Sequence, residues 1–322
     1  MNTVDAPAYS PAPEWSGRSD GPGPEHARWH SVVRPLDVAK PQAEPGVALL
    51  GFASDEGVER NHGRPGAAAG PAALRSALGS LALHHTHPLY DAGTITTQGT
   101  DLEGSHERLS DTVESLSRAG HLPIILGGGH ETAFGSHRGA FRAQGPLQII
   151  NLDAHFDLRT ADVPTSGTPF KQISELVGRE DFDYSVLGIS RPNNTPVLFD
   201  EAAALGVTVV LDEELLSMDL AQVRDTAARI CAGTTPIHLS IDLDVLPADQ
   251  APGVSAPAGL GVPVNIIREL ALTIAATGRL ALVDVVELNP TFDTDAHTAK
   301  LAARLIDDIV TVHFSAATKA NS

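Results

Sequence analysis

Three short motifs bring histidine and aspartate together at spacings that suit metal binding. One histidine follows a run of three glycines, an aspartate–histidine–aspartate set alternates with other residues, and two further aspartates flank a leucine. Side chains two residues apart on an extended backbone point the same way, so the members of each motif can converge on one point. The candidate ligands are His130, Asp153, His155, Asp157, Asp242 and Asp244.

Four carboxylates and two imidazoles are more ligands than a single zinc site uses, and structural zinc often binds thiolates. The chain has one cysteine, Cys231, so neither a cysteine-based metal site nor an intramolecular disulfide can form. A mixed set of oxygen and nitrogen ligands suits harder divalent ions such as Mn²⁺. Bridging carboxylates would hold two ions about 3.5–4 Å apart and generate a hydroxide between them. Each motif alone is commonplace and usually inert, but three together predict a two-metal hydrolytic centre.

Seven short apolar runs predict the β-strands that must position these motifs. The runs are four to eight residues long and mostly continuous rather than alternating, as expected for parallel strands covered on both faces. They span residues 47–52, 122–126, 147–152, 184–189, 207–211, 237–241 and 280–287. Each of the three motifs directly follows one of these runs. Because ligands bind at the carboxyl ends of the strands in open parallel sheets, we expect the motifs to meet there.

Amphipathic stretches between the runs predict helices. Leu109, Val113 and Leu116 share one helical face of residues 105–118, and residues 264–276 show the same periodicity. Residues 299–312 have the pattern of a C-terminal helix. Strands that alternate with helices predict an α/β fold, in which helices cover both faces of a parallel sheet.

Composition bounds the domain organisation and the partners. Residues 1–45 carry eight of the 23 prolines and no periodicity, so we predict a Pro-rich, mobile N-terminal arm before a single catalytic domain of residues 46–322. The formal net charge of −18 argues against nucleic-acid or membrane partners. No targeting segment and no run of 18 apolar residues occurs. We expect a cytoplasmic homo-oligomer that acts on a small molecule.

Together, the three motifs resemble the metal-binding motifs of the ureohydrolase superfamily, which includes arginases and agmatinases. The resemblance rests on residues 128–130, 153–157 and 240–244, and it covers roughly residue 47 to the C-terminus. It implies a three-layer α/β fold of the arginase type, with a mainly parallel eight-stranded sheet and two Mn²⁺ per subunit. One ion would take His130, Asp153, Asp157 and Asp242. The other would take Asp153, His155, Asp242 and Asp244, so that Asp153 and Asp242 bridge the two ions.

The resemblance also assigns roles to two carboxylates. Glu287, in the sequence Val-Glu-Leu-Asn-Pro, matches the position where the family holds a planar amidinium or guanidinium. A carboxylate accepts two parallel N–H bonds from such a cation and so fixes its carbon beside the hydroxide. Asp157 would accept a hydrogen bond from the hydroxide and help to move its proton to the departing amine. The alternative for Glu287 is a buried acid that pairs with an arginine.

Within the superfamily, three segments resemble formimidoylglutamases rather than arginases. The sequence of residues 166–170 is Ser-Gly-Thr-Pro-Phe, and Phe170 falls where arginases carry a proton-shuttling histidine. The segment Ala-Pro-Gly-Val-Ser-Ala-Pro at residues 251–257 is also similar to formimidoylglutamases, as is the entry loop at residues 55–66. We expect Asn61 and Arg64 of that loop at the mouth of the site.

The substrate prediction rests on the segment in which arginases carry acids that hold the substrate's α-amino group. Here the amides and hydroxyl of Asn193, Asn194 and Thr195 replace those acids, beside Arg191. N-formimidoyl-L-glutamate has no free α-amino group and two carboxylates, which a cation and neutral donors would bind. We therefore predict hydrolysis of its linear amidine to L-glutamate and formamide, a step of histidine degradation. Arg191 could instead be a structural salt-bridge residue.

Two other functions stay open at this point. One is a different ureohydrolase, an agmatinase or guanidino-acid hydrolase, which would release urea instead of formamide. The other is a non-catalytic relative that only binds metal. Such a relative would usually have lost ligands, whereas all six candidates are present in this chain.

Overall fold

The computed structural model describes residues 7–320, without the side chains of residues 317–320. Within this part of the chain, ten β-strands form one sheet. The strands are β1 (Tyr9–Ser10), β2 (Arg34–Pro35), β3 (Val47–Ala53), β4 (Leu89–Thr96), β5 (Leu122–Leu126), β6 (Gln148–Leu152), β7 (Asp183–Ile189), β8 (Thr208–Leu211), β9 (Ile237–Asp242) and β10 (Leu280–Val286).

The sheet order is β1-β4-β3-β5-β10-β9-β6-β7-β8, and β2 pairs with β4 from outside this path. The eight strands from β3 to β10 all run parallel to one another. This confirms the predicted α/β fold with a mainly parallel sheet, and these eight strands match the predicted number. The two-residue strands β1, which is antiparallel to β4, and β2 add to that sheet at one edge.

Helices cover both faces of the sheet. They are α1 (Trp29–Val32), α2 (Glu56–Arg60), α3 (Gly70–Gly79), α4 (Leu102–Arg118), α5 (Thr132–Gln144), α6 (Pro169–Val177), α7 (Pro196–Leu205), α8 (Asp212–Ser217), α9 (Leu220–Ile230), α10 (Val264–Ala275) and α11 (His297–Ala320). Successive side chains of a strand point to opposite faces. In β3, Val47 and Leu49 therefore pack in the core with α3, α10 and α11, whereas Ala48 and Leu50 pack in a second core with α4.

Strand β4 is the one long strand that the apolar runs did not predict. Its sequence places Asp91 and Gly93 in the middle of the strand, where charged residues and glycine are uncommon. Asp91 is fully buried and accepts hydrogen bonds from Nε and Nη2 of Arg75 in α3, at 2.8 and 2.9 Å. This two-pronged ion pair compensates the burial of the carboxylate. A partner 16 residues away thus stabilises a strand that its own composition does not favour.

The described part of the Pro-rich segment lies along the body of the protein. Trp29 is fully buried, and its Nε1 donates a hydrogen bond of 2.8 Å to Asp307 of α11. Trp15 Nε1 donates a hydrogen bond of the same length to Asp91. These indole contacts and the pairing of β1 with β4 fasten the segment at several points. Residues 1–6 of the predicted arm lie outside the described residues, and its mobility stays a prediction.

Candidate active site

The three motifs lie at the carboxyl ends of neighbouring strands. His130 follows β5, Asp153 follows β6, and Asp242 is the last residue of β9. In the sheet, β10 lies between β5 and β9, and β6 flanks β9 on its other side. The carboxyl ends of these strands therefore lie close together at the same end of the sheet. The glycines before His130 are required by close packing, because a Cβ on Gly128 would lie 1.8 Å from the carbonyl oxygen of Ser54.

One imidazole nitrogen lies at the centre of a first cluster of carboxylates. Nδ1 of His130 is 3.1 Å from Oδ2 of Asp153, 2.9 Å from Oδ2 of Asp157 and 3.1 Å from Oδ2 of Asp242. All four residues are buried. None of the described groups forms a well-aligned hydrogen bond with this Nδ1. The imidazole nitrogen and the three carboxylate oxygens therefore lie close together without well-aligned hydrogen bonds to this nitrogen, as expected for the ligands of a cation.

A second cluster contains Asp153, His155 and Asp244. Nδ1 of His155 lies 3.1 Å from Oδ2 of Asp244 and 3.6 Å from Oδ1 of Asp153. Asp153 belongs to both clusters, as expected for a bridging carboxylate. Asp242, the second predicted bridge, belongs to the first cluster only, and its Oδ1 accepts a hydrogen bond of 2.8 Å from the backbone of Asp244. Its bridging role stays a prediction.

The pKa values of Asp242 and His130 in the first cluster are shifted in the way expected for a cation-binding site. Burial raises the pKa of Asp242 well above its usual value, and the Asp244 and Asp153 carboxylates raise it further. Burial lowers the pKa of His130, but contacts with three carboxylates outweigh this effect and hold the pKa well above its usual value. Metal ligands bind as neutral imidazole and charged carboxylate, so a divalent cation would replace the proton that these groups share. The residues therefore fit a manganese-type centre made of oxygen and nitrogen ligands.

Buried polar and aromatic side chains orient the ligands from behind. Nε2 of His130 lies 3.0 Å from the Ser240 hydroxyl, and Nδ2 of Asn151 donates a hydrogen bond of 2.9 Å to Asp153. Such partners fix the rotamer of a metal ligand and tune its basicity. Phe170 is fully buried, and its ring meets that of His130 edge-on with 5.2 Å between the centroids. Phe170 is thus part of the packing beneath the site.

Glu287 stands on a strained backbone beside the first cluster. Its φ of 66° is in the left-handed region, which costs an ordinary residue on the order of 1–2 kcal/mol. Oε1 accepts a hydrogen bond of 2.8 Å from the backbone amide of His130, whereas Oε2 is buried and has no hydrogen-bond partner among the described residues. Burial raises the pKa of Glu287 to about 7, and the Asp244 carboxylate acts in the same direction. One oxygen of the Glu287 carboxylate is thus hydrogen-bonded to the backbone, and the other can accept hydrogen bonds from a ligand.

A cavity of about 350 Å³ opens over both clusters. Glu287 lines it, together with Asn61 and Arg64 of the entry loop and with Arg159. Arg64 is already engaged, because it donates hydrogen bonds to the carbonyls of Ser255 and Val254 and lies 3.8 Å above the Phe292 ring. The lining therefore offers a second guanidinium, that of Arg159, to a ligand.

Sequence analysis did not single out Arg159. Its side chain is exposed, and its guanidinium has no hydrogen bond or ion pair within the part of the chain that the structure describes. Its alkyl stem packs against Gly167, where an added Cβ would lie 2.7 Å from Cδ of Arg159. The signal was present in the sequence, because Arg159 continues the alternation of Asp153, His155 and Asp157.

The four predicted substrate-binding residues of the next strand end do not line this cavity. Arg191 is exposed and forms an ion pair of 3.0 Å with Glu213, which is the salt-bridge alternative. Asn194 is buried and uses its side chain to hold three backbone groups of its own loop and of the second motif. Asn193 and Thr195 are exposed in the same turn. The segment that follows β7 thus contributes no side chain to the lining of this cavity, and a substrate-binding role for its four residues stays a prediction.

Comparisons with known proteins agree with this geometry. A family model described as "Arginase family" matches residues 45–311. The chain is 54% identical over 303 residues to a formimidoylglutamase from Corynebacterium efficiens, covering 94% of this chain and 96% of that protein. It is 51% identical to a formimidoylglutamase from Nocardia farcinica, over 94% of this chain and 97% of that protein.

Solved structures show the same likeness. Trypanosoma cruzi formiminoglutamase, crystallised with Mn²⁺, is 26% identical with a TM-score of 0.77, and the match covers 85% of this chain and 95% of that chain. Proclavaminate amidino hydrolase from Streptomyces clavuligerus is 25% identical with a TM-score of 0.75, over 86% and 94% of the two chains.

Proposed function

Because this chain belongs to the arginase family, we propose that it hydrolyses the amidine of N-formimidoyl-L-glutamate to L-glutamate and formamide. One observation carries this proposal. A single cavity offers a carboxylate oxygen of Glu287 without a partner, a free guanidinium of Arg159, and two clusters of metal ligands. The substrate has the complementary charges, an amidinium at one end and carboxylates at the other. The 46–54% identity to the first eight matched formimidoylglutamases, over at least 90% of the chain, supports the same function.

We assign two Mn²⁺ to the two clusters. The first cluster would hold one ion with His130, Asp153, Asp157 and Asp242, and the second would hold the other with Asp153, His155 and Asp244. When bound, two such cations supply Lewis acidity and a hydroxide-type nucleophile at neutral pH. Side chains of the protein orient the substrate, transfer the proton and bind the substrate carboxylate.

Glu287 binds and orients the amidinium. Its Oε1 is held by the amide of His130, so Oε2 receives the N–H groups of the substrate, and the charge-assisted bonds fix the amidine carbon next to the clusters.

Asp157 transfers the proton of the nucleophile to the leaving group. Burial and the Asp153 carboxylate raise its pKa, which suits a group that accepts a proton and passes it to the departing amine. The amine must leave protonated, because an amide anion is too basic to depart.

Arg159 binds a substrate carboxylate. A carboxylate that leaves water needs a cation or several donors, and the planar fork of a guanidinium matches its two oxygens. Agmatine offers no carboxylate and would gain nothing from this residue. A guanidino acid would satisfy both charged ends, so urea-releasing activity is the rival outcome that must be measured.

The test is product analysis with the Mn²⁺-loaded protein. It is incubated separately with N-formimidoyl-L-glutamate, arginine, agmatine and guanidino acids, and the products are identified by mass spectrometry. We expect formamide and glutamate from the first substrate and no turnover of agmatine. Urea from arginine or a guanidino acid, with formimidoylglutamate left intact, would overturn the substrate assignment and leave the two-metal hydrolase.

We further propose that the protein is a cytoplasmic homo-oligomer. Exposed apolar side chains such as Val197 and Leu260, 72% and 61% exposed, support a contact between copies. Among the described residues, no helix is long and apolar enough to span a membrane. Light scattering coupled to gel filtration measures the oligomeric state directly, and a monomer at micromolar concentration would contradict the first part. Fractionation of the source cells tests the location.

A further inference from the structure

The residue that follows the first metal ligand is a fully buried glutamate with an unusual set of contacts. Oε1 of Glu131 accepts hydrogen bonds from the Ser54 hydroxyl at 2.9 Å and from the backbone amide of Gly57 at 3.2 Å. Its Oε2 is buried without a hydrogen-bond partner among the described residues. A buried carboxyl group is costly unless its hydrogen bonds compensate for the lost water. Glu131 thus joins the start of α5 to the entry loop and α2.

The fit between Glu131 and α2 is tight. A Cβ on Gly57 would lie 2.5 Å from Cδ of Glu131, and a Cβ on Gly129 would lie 2.1 Å from Oε2. Contacts this short exclude any side chain at these two positions unless Glu131 moves. The two glycines and the glutamate therefore form a matched set, in which α2 can approach the His130 turn only because Gly57 is bare.

From Gly57 the contacts continue to the cavity wall. The carbonyl oxygen of Gly57 accepts a hydrogen bond of 3.0 Å from the amide of Ser166, and Nδ2 of Asn61 donates one of 3.1 Å to the Ser166 hydroxyl. The amide of Arg159 donates a hydrogen bond of 2.9 Å to the carbonyl oxygen of Gly167, the residue against which its side chain packs. A continuous chain of contacts therefore leads from Glu131 to the guanidinium of Arg159.

We propose that Glu131 is a positioning residue, which acts through Gly57 and Ser166 to fix the wall of the cavity that receives the carboxylate end of the substrate. This inference rests on the proposed function, because it uses the role of Arg159 in carboxylate binding. Glu131 itself is a ligand in neither cluster and does not line the cavity. The turn that carries His130 thus has two roles. It places His130 in the first cluster, and through Glu131 it fixes the distance from the clusters to the wall that binds the substrate carboxylate.

A positioning role and a purely structural role have different consequences. If Glu131 only stabilised the fold, its loss would lower the melting temperature and leave the kinetic constants of the folded fraction unchanged. If it positions the wall, its loss weakens binding of the carboxylate end while the amidine end still reacts. Binding of L-glutamate, the carboxylate-bearing product, reports that end alone.

The experiment compares Glu131→Gln with Glu131→Leu in the Mn²⁺-loaded protein. Glutamine keeps an oxygen for Ser54 and Gly57, so we expect kinetic constants within about threefold of wild type. Leucine has no acceptor, and we expect the KM for formimidoylglutamate and the inhibition constant of L-glutamate to rise together by about tenfold or more. The value of kcat should stay within about threefold, and the manganese content should not change.

Gly57→Ala approaches the same contact from the other side and keeps the test decisive if the leucine variant does not fold. Its new methyl group displaces Glu131, so KM and the inhibition constant should again rise together. Asp91→Asn is the control, since it weakens a buried ion pair of the β4 edge and should lower the melting temperature without changing KM.

If the inhibition constant of L-glutamate is unchanged in folded Glu131→Leu and Gly57→Ala, the positioning role is overturned. It is also overturned if this constant rises as much in Glu131→Gln as in Glu131→Leu. Failure of the proposed function gives a different result, in which wild type itself leaves formimidoylglutamate intact. The same comparison is then made with the carboxylate-bearing amidine or guanidine that wild type does hydrolyse.

Discussion

The backbone amide of His130 donates a hydrogen bond of 2.8 Å to Oε1 of Glu287, a residue 157 positions further along the chain. This contact ties the first cluster of metal ligands to the carboxylate that faces the cavity. It leaves Oε2 of Glu287 as the oxygen that can meet a ligand. The contact thus fixes the Glu287 carboxylate next to the first cluster.

Replacing Glu287 by glutamine keeps the shape of the side chain and removes its charge. We expect kcat/KM for formimidoylglutamate to fall by about tenfold or more, because a hydrogen bond to a charged group contributes about 1.5–3 kcal/mol. Steady-state kinetics at saturating Mn²⁺ measures the effect, with Glu114→Gln, a partly buried position of α4 outside the cavity lining, as the control. Wild-type kinetics in the Glu287 variant would show that this carboxylate does not touch the substrate.

Asp153 and Asp244 should differ in how many ions they control. Asp153 lies in both clusters and Asp244 in the second only. We expect Asp153→Ala to lose both ions and all turnover, and Asp244→Ala to retain one ion per subunit. Metal analysis after gel filtration counts the ions. One ion per active wild-type subunit would contradict the two-ion assignment.

Removal of the ions should also destabilise the fold. Ligands that bind only the folded state stabilise it by mass action, and the clusters crowd like charges when no cation is present. We expect the melting temperature to fall when a chelator strips the metal and to recover on addition of Mn²⁺. The Asp153→Ala variant should show no such response, whereas a full response in that variant would contradict its assignment as a shared ligand.

Arg159 and Arg191 form a matched pair for testing substrate recognition. Arg159 faces the cavity without a described partner, and Arg191 pairs with Glu213 at the surface. We expect Arg159→Ala to raise KM for formimidoylglutamate by about tenfold or more and Arg159→Lys to recover part of the loss, because a point charge cannot reproduce the guanidinium fork. Arg191→Ala should leave KM unchanged. The opposite pattern would return carboxylate binding to the segment that follows β7.

His106 should make the protein sensitive to acid. Burial and the charge of Arg138 together lower its pKa to about 4 from the ordinary value of 6.5. Between these two values the unfolded chain binds a proton that the folded chain does not. The free energy of unfolding is therefore unaffected above about pH 6.5 and falls as the pH drops towards 4. The difference amounts to about 3 kcal/mol at most.

The measurement compares wild type with His106→Phe, which keeps a ring between Phe52 and Phe134 and removes the titrating group. Both proteins carry the same metal site, so the difference between their urea unfolding curves from pH 7.5 to 4.5 isolates His106. The variant should lose less stability on acidification. Parallel pH dependences would show that His106 does not limit acid stability.

The amino-acid sequence was sufficient to predict the parallel sheet and its metal-binding edge, because both follow from short-range patterns. Continuous apolar runs such as Val47–Ala53 and Leu122–Leu126 bury both faces of a strand regardless of the rest of the chain. The ligands directly follow three such runs, and their close spacing within each motif keeps them together at the same strand end. Topology then brings the strand ends together at one edge.

Tertiary structure alone decided which loops close over that edge. Strand β4 escaped prediction because Asp91 depends on Arg75, a contact between two elements that no local pattern contains. Arg159 and Arg191 are both arginines that follow a strand end, so residue type does not distinguish them. The Arg159 loop is held beside the clusters through Gly57 and Ser166, whereas Asn194 holds the Arg191 turn against its own strand end. Such a choice depends on hydrogen bonds between distant segments, and only the folded chain brings those segments together.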